Sequence, residues 1–307
     1  MKVEPETGIM KKPPQKKIRL IGYLLYALVL TALFLYLRFP SESLASYLRS
    51  ALGRANPRLI LSIGALAPEL PPGIEISKAE IAFKKTPLKP IVNLHDLSLK
   101  PDPWAFIQGT RACCFEGRAY GGEISGNLRF EERGSETCFT TSIRLKDLHM
   151  GRHAYLPLLM GRSFSGTLAG EIHYSGDNAR LIQGDGAATI TISRGVAGLP
   201  RPVMGLESIP FDRLFIKMTL KNGKITVSSA VLEGRTLKGR LSGTVTLKNK
   251  IRTSRLDLKG VVEPQTGLLG KLSKNPDSIR LLRKGLKNLK QSFIIRGTFE
   301  APEFRFM

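Results

Sequence analysis

Tryptophan occurs once in the 307 residues, at Trp104, and aromatic residues make up only 7% of the chain. Acidic residues are scarce as well, 25 against 47 lysines and arginines, which leaves a formal charge of +22. The three cysteines are too few for a disulfide framework and have no metal-site spacing, since Cys113 and Cys114 are adjacent and Cys138 stands alone. There is no P-loop, no Gly-x-Ser-x-Gly elbow and no His-Glu-x-x-His. His149 and His153 are four apart, but Gly151 lies between them, so they read as loop histidines rather than ligands on one helical face. Gly184-Asp185-Gly186 reads as a turn, and Glu131-Glu132 beside Arg133-Gly134 as a hairpin tip. These absences exclude the motif-bearing enzyme classes, and the expectation is a protein with no catalytic role, cofactor or metal. The charge favours anionic partners such as phospholipid or lipopolysaccharide. Nucleic acid is set aside, because the basic residues are dispersed over many segments and stacking aromatics are few.

One long hydrophobic run is present. From Leu20 to Leu37 no charge interrupts LIGYLLYALVLTALFLYL, and Arg19 and Arg38 bound it. At about 1.5 Å per residue it spans roughly 27 Å, the hydrocarbon thickness of a bilayer. Tyr23, Tyr26 and Tyr36 fall towards its ends, where amphipathic rings favour the interface. The run is longer than a signal-peptide core, which weighs against removal by a cut after Ala45. Lys11, Lys12, Lys16, Lys17 and Arg19 crowd its N-terminal side, so that side is expected to remain cytoplasmic. The expected organisation is a basic tail over residues 1–19, a transmembrane anchor over 20–37 and a periplasmic domain over 38–307, held in a bacterial inner membrane.

A seven-residue form, Gly-x-apolar-x-Gly-x-apolar, recurs from Gly122, Gly166 and Gly239. Each copy continues with period two. Ile124 and Leu128, Leu168 and Ile172, and Leu241 and Val245 share one face, while Glu123, Thr167 and Arg240 begin the other. Strict alternation marks strands with one buried and one wet face. Leu214, Ile216, Met218 and Leu220 alternate up to Asn222-Gly223, a type I′ hairpin signal, after which Ile225 and Val227 resume. The fold class expected is mainly β: a long curled antiparallel sheet of hairpin repeats with a few short helices. Its apolar face either closes into a core or leaves a groove for apolar ligands.

Three helical segments are expected. Ser41 is placed as the cap of a helix with Leu44, Tyr47, Leu48, Ala51 and Leu52 on one face. A basic helix after Asn275-Pro276 sets Arg280, Arg283, Lys284 and Lys287 away from its apolar side, either against anionic lipid or simply in solvent. Residues 155–160 read as a short helical turn. In an oxidising compartment Cys113 or Cys114 could bridge to Cys138 across neighbouring strands; the other reading is three unpaired small hydrophobes.

These features resemble the type II secretion system protein N (GspN) family, whose periplasmic region is similar to AsmA-like proteins. The residues that carry the likeness are the anchor with Arg38-Phe39-Pro40-Ser41, then Ala119-Tyr120-Gly121-Gly122-Glu123-Ile124-Ser125-Gly126, then Ile209 to Leu214 leading into Asn222-Gly223-Lys224-Ile225. Arg240-Leu241-Ser242-Gly243, Gly297-Thr298-Phe299 and the closing Arg305-Phe306-Met307 complete it. The resemblance implies a non-enzymatic accessory component of type II secretion that works through other inner-membrane or periplasmic subunits. The rival from another class is an AsmA-type lipid-binding or lipid-transfer protein that holds acyl chains in a β-sheet groove. An alkaline phosphatase fusion at the C-terminus is expected to be active and a cytoplasmic reporter there dark; the reverse pair of signals would overturn the assigned topology.

Overall fold

The structure is a computed structural model that describes all residues except 1–14, 70–72, 85, 89, 134–135, 153–162, 178–179, 204–205, 249 and 266–289. The basic stretch with Arg280, Arg283, Lys284 and Lys287, the segment 155–160 and the N-terminal end of the basic tail therefore lie outside the described residues.

The chain starts with α1 (Gln15–Leu37) and α2 (Ser41–Ala55). Four strands follow: β1 (Leu59–Ile63), β2 (Leu66–Glu69), β3 (Gly73–Phe83) and β4 (Val92–Pro101). A short α3 (Pro103–Ile107) leads to β5 (Arg111–Ala119), β6 (Gly122–Arg133), β7 (Glu136–His149) and β8 (Phe164–Asp177). Next come β9 (Asp185–Val203), β10 (Leu206–Lys221), β11 (Lys224–Glu233) and β12 (Leu237–Thr246). The last are β13 (Arg255–Pro264), β14 (Gln291–Thr298) and β15 (Pro302–Phe306).

All of them join one 15-stranded sheet in which β3 to β15 lie in sequence order. Every pairing is antiparallel. This is the expected hairpin repeat. The expected curl does not close the sheet, because β1 and β15 are opposite ends of the strand order and no pairing joins them. Short turns hold the meander together. Asn222 (φ 48°) and Gly223 (φ 74°) both take positive φ, as a two-residue type I′ turn requires, and Tyr120 (φ 51°) with Gly121 (φ 82°) does the same between β5 and β6.

Bulges keep the aliphatic side chains on one side over long strands. The registers shift between Leu145 and Leu148, between Val227 and Ala230, and between His95 and Ser98. Asp96 and Asp147 within two of these shifts have positive φ, as has Arg194 opposite a further shift between Ser165 and Thr167. One extra residue at each bulge resets the side-chain parity, so Leu148 follows Leu145 on the same face although their separation is odd.

α2 covers the first strands. Ala45 on α2 is buried with Leu66, Ile76 and Ala79, and Phe39, Ile63, Ile74, Leu94, Leu97 and Leu99 pack against them. The capping expectation is corrected: Pro40 is the N-cap residue, no side chain caps the helix, and Ser41 is already inside it. Tyr47 is 61% exposed, so the packed face centres on Ala45 rather than on the tyrosine.

The large apolar side chains described on α1 are exposed, and among the described residues α1 makes no substantial contact with any other element. Among the described residues no helix is long and apolar enough to cross a membrane. The full sequence of α1, by contrast, carries the uncharged run from Leu20 to Leu37.

Candidate functional site

The candidate site is the apolar face of the sheet. Directly opposed residues in antiparallel strands point to the same side, so the face can be followed from strand to strand. Leu128 on β6 faces Thr141 on β7, which faces Tyr174 on β8. One step along, Gly126, Ile143 and Ile172 oppose one another in turn. Ile172 faces Ala188, Ala188 faces Met218, Met218 faces Val227, Val227 faces Gly243 and Gly243 faces Leu258. The six positions read from the sequence, Ile124, Leu128, Leu168, Ile172, Leu241 and Val245, all lie on this one surface.

The central part of this face has little cover. Ile124, Leu128, Ile143, Leu168, Ile172, Ile190, Ile216 and Leu241 are half-buried, whereas side chains in a two-layer core are fully buried. Full burial occurs where something else packs on the face, as under α2. It also occurs at Leu148, Ile192 and Phe211 in the central strands, and at Val245, Leu256 and Leu258, which Ile225, Val227, Leu241, Leu247 and Ile295 surround. Apart from neighbouring strands, only α2, α3 and two 3-10 turns make substantial contact with the sheet among the described residues.

Within the face a shallow depression of about 110 Å³ lies across β8 to β11. Gly186 and Ala188 form its low floor, and Tyr174, Met218, Leu220 and Ile225 stand around it. Aromatic pairs stand towards the two ends of β8. Phe139 lies 5.3 Å from Tyr174 and 6.2 Å from Phe130, and Phe164 lies 5.9 Å from Phe211. The Tyr174 hydroxyl donates to the Leu181 carbonyl at 2.6 Å, and its pKa is pushed up, first by burial and then by Asp177 and Asp185.

Glycines keep the face low. Gly243 has φ +139°, and a Cβ there would run into the Asp257 carbonyl; at Gly195 it would occupy the space of the Phe211 ring. Thr141, the buried polar residue in this stretch, donates its hydroxyl to the Asn127 carbonyl at 2.8 Å and so offers the face no free hydrogen-bonding group.

The opposite face is polar and laced with cross-strand ion pairs: Arg118 with Asp96, Lys146 with Glu123 at 3.0 Å, Arg144 with Glu171 at 3.1 Å and Arg296 with Asp257 at 3.6 Å. These pairs are solvent-exposed and fix register more than stability. Lys221, Lys224, Arg240 and Lys259, on the later strands, are exposed.

Of the two readings of the cysteines, the structure holds all three, Cys113, Cys114 and Cys138, as free thiols. β6 lies between β5 and β7, so Cys113 and Cys114 have no shared ladder with Cys138. Two strand spacings put them about 10 Å apart sideways, beyond the ~7 Å Cα separation a bridge tolerates. Cys113 sits on the apolar face opposite Leu128, and burial raises its pKa, with Cys114 adding to the effect. His153 is outside the described residues, and no group of three metal-ligating side chains occurs among the described ones.

No protein-family model, curated protein or solved structure matches the chain.

The partial exposure of Ile172 and its neighbours has a stability consequence. Ile76→Ala, under α2, is expected to cost about 3 kcal/mol, and Ile172→Ala about half that, because Ile172 keeps part of its surface outside the core. Urea unfolding of the two variants measures the difference; equal losses would mean that the sheet is closed over Ile172.

Proposed function

We propose that this chain is a bitopic inner-membrane protein whose periplasmic sheet holds the acyl chains of lipids along its open apolar face, without catalysis. The observation that carries the reading is the continuous surface from Leu99 to Phe304, apolar on strand after strand and only half-covered at its centre. Leaving one partly covered isoleucine or leucine in contact with water forfeits up to the order of 1 kcal/mol, so an apolar occupant such as an acyl chain would gain from the face. The sheet also begins where α1 ends, since α2 joins the end of the apolar run directly to the first strands of the face.

The N-terminal anchor belongs to the same proposal. It rests on the uncharged run, the bare apolar surface of α1 and the lysine-rich flank. Service to the type II secretion machinery is the part carried by the GspN resemblance; loss of the gene would then leave secreted cargo in the periplasm.

Native mass spectrometry of the detergent-purified full chain tests the lipid reading. Lipid is expected to remain bound, and Ile172→Asp with Met218→Asp is expected to remove most of it while leaving the β-sheet circular dichroism intact. A lipid-free wild type, or equal retention by the variant, would contradict the proposal.

A further inference from the structure

α3 is a five-residue helix between β4 and β5, built from signals that lie entirely within the chain. Asp102 caps it by accepting from the amides of Trp104 at 3.0 Å and Ala105 at 3.3 Å, and Pro103 opens it. Ala105 is 4% exposed and holds the helix to the sheet, and the Thr110 hydroxyl donates back to its carbonyl at 3.0 Å. The other three side chains point away: Trp104 is 73% exposed, Phe106 75% and Ile107 74%. A single exposed hydrophobe is ordinary, but three on one rigid turn, one of them the only tryptophan, form a presented surface.

The position of this turn identifies its partner. α2 ends at Asn56, next to Leu59, which pairs with Phe83 at one end of β3. Its 15 residues rise about 22 Å, the length of about seven strand residues, which returns its start to the level of Ile76. Ser41 and Ala45 accordingly lie beside Leu66, the partner of Ile76, and Phe39 packs in the cluster of Ile74 and Leu99. The junction with α1 is thus at the Gly73–Leu99 end of the sheet. β4 ends there at Pro101, and α3 follows at once, two or three strands away, or about 10–15 Å.

We infer that α3 is a second membrane contact: Trp104, Phe106 and Ile107 insert into the interfacial layer of the bilayer that α1 spans, and so fix the tilt of the sheet on the membrane. Tryptophan at headgroup depth, with phenylalanine and isoleucine beside it, is the composition that the interface selects. A single helix leaves the domain free to swivel about Arg38–Pro40, whereas two contacts hold the first strands of the apolar face against the lipid. The inference rests on the anchor assigned to α1.

Because Trp104 is the only tryptophan, its emission reports this contact alone. The full chain is reconstituted in nanodiscs of phosphatidylethanolamine and phosphatidylglycerol, with and without brominated acyl chains. The expected result is blue-shifted emission that brominated lipid largely quenches and aqueous iodide does not. Phe106→Asp with Ile107→Asp, both at exposed positions, is expected to shift the emission to the red and abolish quenching by lipid while the chain stays incorporated. Incorporated wild-type protein with water-like, iodide-quenched emission would overturn the inference and leave the anchor standing. A chain that does not enter nanodiscs at all would overturn both.

Discussion

Alternation in an antiparallel strand sends successive side chains to opposite faces, and here β3 to β14 place most of their aliphatic residues on the same one, with Val231, Val261 and Ile294 among the exceptions. A single sheet cannot bury such a face against itself unless it closes or gains a second layer. This one does neither across its centre. α2 covers one end, Val245, Leu256 and Leu258 are packed in by their own neighbours further along, and between them Leu148, Ile192 and Phe211 are buried while Ile124, Leu128, Ile143, Leu168, Ile172 and Ile216 stay only partly covered. The bulges at Asp96, Asp147 and Arg194 belong to the same constraint, since strands of this length drift out of phase with the face unless the parity is reset.

Charge is distributed in keeping with that division. The polar face carries the ion-pair ladders of β4 to β8, where acidic residues still match basic ones across the strands. Lys221, Lys224, Arg240 and Lys259 on the later strands are exposed, and part of the +22 resides there. A domain with one bare apolar face gains from such a surplus, because like-charged copies repel one another before their apolar faces meet. The membrane contact we propose would gain from the same surplus at an anionic bilayer.

Much of this was legible in the residues. Period-two patterning located the strands, Asn222-Gly223 placed a hairpin, and the six aliphatic positions from Ile124 to Val245 shared a face because alternation alone decides it. Other features could not be read, for physical reasons. The Cys113–Cys138 pairing failed because strand adjacency is a property of topology, and β6 intervenes. Tyr47 follows the helical spacing of α2, but packing against small Ala45 turned the helix so that the ring faces outward. The bulges escaped notice because aspartate and arginine hold positive φ at them where glycine would have advertised it. α3 had a legible cap and first turn in Asp102-Pro103, which the surrounding prolines disguised as a plain joint.

The central claim is that the apolar face is open and takes up acyl chains. A photo-reactive amino acid placed singly at Leu168 or Leu241, with His173 and Arg240 on the opposite face as controls, tests it most directly when irradiated in intact cells. The account predicts lipid adducts at Leu168 and Leu241 and none at His173 or Arg240. Adducts of equal yield on both faces, or protein adducts alone at the first two positions, would contradict it.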